Sequence, residues 1–106
     1  DNNEQGILSF VRKAKDGSAI LCVLNFRPES HESFRLGVPL SGAWQELLSS
    51  DDTRFGGSGK TNPRRLHTRK APSHGRNQSL VLTVPPLGGT LIKYIGETTH
   101  ARKRRV

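Results

Sequence analysis

An all-β fold, an antiparallel two-sheet β-sandwich with Greek-key-like connections and about six to eight strands, is predicted by three features of the sequence. Apolar residues come in short runs rich in β-branched and aromatic types. Turn-forming residues interrupt those runs about every eight to twelve positions, and no segment repeats its apolar residues at helical spacing. With 106 residues, the chain suits one domain with a modest core. That domain is assigned to residues 1–95, and the basic end, 96–106, to a disordered tail.

The elements follow in order. Ile7 to Lys13 reads as a strand, and Asp16-Gly17 as a tight turn, because both residues tolerate positive φ. The return run, Ala19 to Phe26, is apolar at odd and even positions alike, which predicts a central strand covered on both faces. Phe34, Leu36 and Val38 then alternate with Arg35 and Gly37 until Pro39 stops the strand. Ser41-Gly42 turns into a short strand from Ala43 to Leu48, with Trp44 expected to pack against the sheet. A long connection runs to about Gln78, with a short edge strand expected between Leu66 and Ala71; an irregular stretch of this length is expected to be functional or packed on a neighbour. Leu80 to Val84 alternates clearly, Pro85 to Gly89 turns, and Thr90 to Ile95 forms the last strand.

The connection contains the most suggestive chemistry. Gly57-Ser58-Gly59-Lys60-Thr61 looks like the end of a phosphate-cradling loop, in which glycine amides wrap the anion and the lysine and hydroxyl reach it. That loop needs a glycine where Arg54 stands, and it needs a helix immediately after it; Asn62-Pro63 and a segment without an apolar stripe follow instead. A nucleotide site at Lys60 is therefore set aside, and the stretch reads as a glycine-rich link between the two β halves.

Charge is unevenly distributed: residues 1–52 hold five basic and eight acidic groups, and 53–106 hold twelve and one. Arg54, Lys60, Arg64, Arg65, Arg69, Lys70 and Arg76 form a run with no acid among them, which suggests a nucleic-acid or other polyanion surface over residues 54–76 as the alternative reading. Single-strand binding sheets also interleave several stacking rings, and only Phe55 falls in this run. Cys22 is the single cysteine, which excludes a disulfide framework and predicts a buried, inert thiol. His31, His67, His74 and His100 show no paired ligand spacing and are expected to be solvated, so no metal site is predicted. The acids show no facing carboxylate pair, and adjacent Asp51 and Asp52 are expected to cap backbone amides in a turn. No apolar stretch approaches the ~18 residues of a membrane span, and the first residues do not read as a signal peptide, so a cytoplasmic location is expected.

With the strands placed, the sequence resembles the C-terminal all-β domain of the glycogen (1,4-α-glucan) branching enzymes of the α-amylase superfamily. The resemblance is carried in order by Ile7-Leu8-Ser9-Phe10-Val11-Arg12, Asp16-Gly17, Asn25-Phe26 with Pro28, and Phe34-Arg35-Leu36-Gly37-Val38-Pro39. It continues through Gly42, Trp44, Glu46, Leu48, Ser50-Asp51, Phe55-Gly56-Gly57-Ser58-Gly59, His74-Gly75-Arg76, Ser79-Leu80 and Leu82-Thr83-Val84-Pro85-Pro86-Leu87. The run Lys60-Thr61-Asn62-Pro63-Arg64-Arg65 departs from the neutral residues usual in that family.

The resemblance implies a domain that follows a (β/α)8 barrel, whose carboxylates cut an α-1,4-glucan chain and transfer it to a 6-hydroxyl. None of that barrel is in this chain. A domain without catalytic residue, metal or cofactor is implied, packing on the barrel as its partner, with an α-glucan chain as a second partner and no membrane. The resemblance makes Asp51, Phe55, Gly56, Gly57, Ser58, Gly59, His74, Gly75 and Arg76 the candidate barrel-interface or glucan-facing residues.

Overall fold

A computed structural model describes residues 6–59 and 61–96. Lys60 and most of the expected tail lie outside them. Seven strands form: β1 Ile7–Lys13, β2 Ala19–Asn25, β3 His31–Val38, β4 Ala43–Ser49, β5 Leu66–His67, β6 Gln78–Val84 and β7 Gly88–Gly96. All pair antiparallel, in a five-stranded sheet ordered β1-β2-β7-β4-β5 and a two-stranded sheet of β3 and β6. The chain crosses to the smaller sheet at β3, returns for β4 and β5, crosses again at β6, and places β7 between β2 and β4. This is the predicted two-sheet, all-β architecture.

The core lies between the sheets and follows from period-2 alternation. Ala19, Leu21 and Val23 of β2 and Ile92 of β7 meet Phe34, Leu36 and Val38 of β3 and Leu80, Leu82 and Val84 of β6. Trp44 is fully buried, its ring set edge-on to Tyr94 at 5.1 Å, and its indole N–H donates to the Leu40 carbonyl at 3.2 Å. It is a core residue, as expected.

Four expectations change. β2 is sealed on one face only: Ala19, Leu21, Val23 and Asn25 are buried, while Ile20, Cys22 and Leu24 on the opposite face are half-buried. Neither strand of the smaller sheet packs over them, since the buried residues of both strands meet the other face of β2. Cys22 is accordingly half-buried rather than buried, although desolvation still raises its thiol pKa and disfavours the thiolate. Gly88 and Gly89, read as turn, are strand residues that pair with Asn25 and Leu24; the turn is Pro86-Leu87, with Leu87 at φ 45°. Gly96, assigned to the tail, closes β7 opposite Ala43.

The long connection is less irregular than its composition suggests. It contains a 3-10 turn at Thr53–Phe55, the edge strand β5 and a short hairpin in which Ser73 and Arg76 pair. Asn62 bolts it to both sheets. Its amide N–H groups donate to the Glu46 carboxylate of β4, at 3.1 Å from the backbone and 2.7 Å from Nδ2. Nδ2 also donates to the Thr83 carbonyl of β6 at 2.9 Å, and Oδ1 accepts from the Thr83 N–H at 2.7 Å. Thr90 Oγ1 of β7 donates to the same carboxylate at 2.5 Å.

Candidate docking face and glycine-rich loop

The outer face of the five-stranded sheet is an apolar surface built by cross-strand register. Leu8, Leu24 and Gly89 lie opposite one another across β1, β2 and β7. In the next row Phe10, Cys22, Leu91 and Leu48 run across β1, β2, β7 and β4. The row beyond turns polar, with Arg12, Ile20, Lys93 and Gln45. Gly89 has a close-packing role here: a Cβ at that position would lie 2.7 Å from Leu24 Cδ2 and 2.5 Å from the Val23 carbonyl oxygen. Its bare backbone lets Leu24 lie down across β7. The resulting groove, of about 360 Å3, is lined by Cys22, Leu24, Leu48, Phe55 and Leu91, and it continues past Gly89 to Phe26 and Leu87.

Exposure is high where it would normally be low. Phe10 is 47%, Leu48 42%, Phe55 58%, Phe26 64% and Leu87 69% exposed. Scattered apolar side chains at a surface are ordinary, whereas a contiguous patch rimmed by polar groups marks an interaction site.

The glycine-rich loop forms one end of this face. Asp52 caps the 3-10 turn: Oδ1 accepts from the Arg54 N–H at 2.8 Å, and Oδ2 pairs with Arg54 Nη2 at 2.9 Å. The Arg54 side-chain hydrogen bond, followed by the backbone one, lowers the Asp52 pKa; Asp52 in turn raises that of Arg54. The Arg54 guanidinium sits over the Phe55 ring, 5.4 Å from its centre. Gly56 takes the left-handed conformation that ends the turn, at φ 81°.

Asp51 then organises the glycines. Its Oδ1 accepts from the Ser58 N–H at 3.1 Å and its Oδ2 from the Ser58 hydroxyl at 2.6 Å, while the Gly59 N–H donates to its carbonyl at 2.8 Å. Gly57 presses on the same residue, since a Cβ there would lie 2.3 Å from the Asp51 carbonyl carbon. A carboxylate thus occupies the donors that a phosphate loop would offer its ligand. Both aspartates cap backbone amides, as their adjacency suggested.

His74, Gly75 and Arg76 belong to a different place. They form the hairpin turn over β3, with Gly37 N–H donating to His74 Nδ1 at 3.2 Å and the His74 ring 6.1 Å from that of Phe34. The nine candidate residues therefore fall into two clusters, one around Asp51 and one around Gly37. His31, half-buried, sits edge-on to Phe34 at 5.9 Å, whereas His74 is exposed as expected, although its ring also neighbours Phe34. Of the basic run, Arg54 is spent on Asp52, while Arg64, Arg65, Arg69, Lys70 and Arg76 are exposed, with Phe55 the one aromatic ring of residues 54–76. No group of three or more potential metal ligands gathers among the described residues, and no described helix is long and apolar enough to cross a membrane.

The residues missed by sequence reasoning are Phe10, Leu24, Leu48 and Leu91. Their signal was present in the two-sided apolarity of β2, which was assigned to cover within the domain.

The family model for the alpha amylase C-terminal all-beta domain matches residues 1–95. The 1,4-alpha-glucan branching enzyme of Aromatoleum aromaticum is 46% identical over 102 residues, which are 96% of this chain and 16% of that protein. Those of Desulfitobacterium hafniense and Bacillus cereus are 44% and 34% identical over 93 and 105 residues, or 87% and 98% of this chain and 15% and 16% of theirs. The chain thus spans about a sixth of the length of these relatives. By the match over residues 1–95, it belongs to the alpha amylase C-terminal all-beta domain family.

Proposed function

We propose that this chain is the non-catalytic C-terminal accessory domain of a cytoplasmic 1,4-alpha-glucan branching enzyme, and that it seats its apolar outer face on the catalytic barrel of that protein. The barrel transfers α-1,4-glucan chains to form the α-1,6 branches of glycogen; the domain stabilises it. The observation that carries this reading is the uncovered stripe Phe10–Cys22–Leu91–Leu48 in a chain that spans 16% of a relative's length. An apolar face of this extent on a lone domain invites association, whereas next to a barrel it becomes a domain interface. The Asp51–Gly59 loop carries Phe55 to the end of that face and is held in a single shape by Asp51, which suits a rigid contact.

The test is to express this domain and the catalytic portion of the parent separately and to measure their association by calorimetry. Leu24→Asp with Leu91→Asp should abolish association while leaving the domain folded. Undiminished association of that variant, or glucan transfer by the isolated domain, would sink the proposal. Salt-sensitive RNA binding lost on neutralising Arg64, Arg65, Arg69 and Lys70 would instead favour a polyanion-binding module.

A further inference from the structure

The two sheets differ in width, and the mismatch leaves a second cavity. Sheet order puts β1 at the edge of the five-stranded sheet, and the two-stranded sheet cannot reach under all of it. Beneath this overhang lies a cleft of about 440 Å3 between β1 and β3. Val11, Leu21 and Leu36 give it an apolar floor, while Ser9, Lys13, His74 and Arg76 supply its polar lining.

The wall holding His74 and Arg76 is rigidly set. Ser73 and Arg76 exchange both backbone hydrogen bonds, at 3.1 and 2.9 Å, around His74 at φ 52° and Gly75 at φ 75°. Positive φ at both central residues defines a tight type I′ hairpin. The hairpin lies directly on Gly37, where a Cβ would come within 1.9 Å of the Ser73 carbonyl oxygen. Because Gly37 N–H donates to His74 Nδ1, the neutral ring carries its proton on Nε2 and acts as a donor there.

The polar lining is therefore rich in donors: an ammonium, a guanidinium, an imidazole N–H and a hydroxyl. No carboxylate lines the cleft, and neither Lys13 nor Arg76 is ion-paired among the described residues. Sugars alone call for acceptors as well as donors. A cationic rim without a carboxylate, above an apolar floor, instead matches a multiply charged oxyanion carried on an apolar body, with the guanidinium and ammonium making charge-assisted hydrogen bonds.

We propose that this cleft binds a small organic phosphate, its phosphoryl oxygens held by Lys13, Arg76 and His74 and its body lying on Val11, Leu21 and Leu36. The site adjoins the docking face at the sheet edge, where Phe10 also lines the cleft, but its floor of Val11 and Leu21 belongs to the opposite side of the sheet from Cys22. The test is an amide NMR titration of the chain with phenyl phosphate, inorganic phosphate and benzyl alcohol. Phenyl phosphate should shift the Ser9, Val11, Gly37 and Arg76 amides saturably and bind about tenfold more tightly than inorganic phosphate. K13S with R76S should weaken it at least about tenfold, with an unchanged Trp44 indole resonance showing that the variant is folded; K13Q alone provides a milder second variant. Equal binding by the double variant, equally tight benzyl alcohol, or shifts confined to other amides would overturn the proposal. So would an absence of shifts in the longer parent protein, where an acidic side chain of the barrel would then fill the cleft.

Discussion

On the inner face of β2, Ala19, Leu21 and Val23 are each no more than 1% exposed; on its outer face Ile20, Cys22 and Leu24 are half-buried and line or flank an open groove. The side chains are chemically alike, and a one-residue step along the strand separates them. The inner set meets a second sheet and loses its water. The outer set meets side chains of its own sheet and, at one end of the groove, Phe55. An apolar sheet face left in this state is the surface that the proposed docking on a catalytic barrel would cover.

Substitution on adjacent residues breaks the comparison most directly. Val23→Asp buries an unpaired charge in the core and should prevent folding, a loss of more than about 4 kcal/mol. Leu24→Asp should leave a cooperative transition, lowered by about 1 kcal/mol or less, when both are followed by urea unfolding. Equal losses at the two positions would mean that the outer face is as structurally important as the core.

A smaller effect tests the bolt between the sheets. Asn62→Ala removes the Nδ2 hydrogen bond to the Glu46 carboxylate and the bonds to both backbone groups of Thr83. The Asn62 N–H bond survives, so about 1.5–3 kcal/mol should be lost, since one partner is charged and the Thr83 N–H is left unpaired. Thermal unfolding monitored at Trp44 would read it, and a change below about 0.5 kcal/mol would show that the connection is not held this way.

The smallest effect is the acid dependence at the loop. Asp52 and Asp16 both have lowered pKa values, Asp52 chiefly through Arg54 and Asp16 chiefly through the Ser18 backbone N–H. A carboxylate with a depressed folded pKa contributes stability that is fully present above its ordinary value of 3.8 and is lost as pH falls through the folded value. Asp52→Asn should therefore remove a small increment of stability at neutral pH and none at low pH, where the parent has already lost it, so that the acid limb of the stability curve flattens slightly. A variant that instead loses stability equally at pH 3 and pH 7 would assign Asp52 a purely geometric role.

Local pattern made the strands legible. Alternation at Phe34, Leu36 and Val38 and at Leu80, Leu82 and Val84 reports one buried face, and it is observed at those residues. Which sheet each strand joins was not legible, because both sheets have the same two-residue period. The His31–Ser33 start of β3 carries polar side chains and is recruited only by pairing with β6, through a register irregularity. Within the candidate site, the glycine-rich stretch was visible as a loop, but its dependence on Asp51 was not: a carboxylate seven positions away satisfies Ser58 only after the chain has turned at Gly56. His74 and Arg76 were grouped with that loop by resemblance and separated from it by topology.

The position of β7 has a consequence for how the protein is made. It is the last of the described strands in chain order, yet it supplies both inner ladders of the larger sheet, to β2 and to β4. While the chain is being synthesised, every ladder but β1–β2, β4–β5 and β3–β6 waits for residues 88–96, and β2 and β4 each present a bare edge until then. Closure of the larger sheet is thus a single late event dominated by contacts distant in sequence, the slow kind for a β protein. A ribosome that stops before Gly88 leaves three unjoined strand pairs rather than most of a domain.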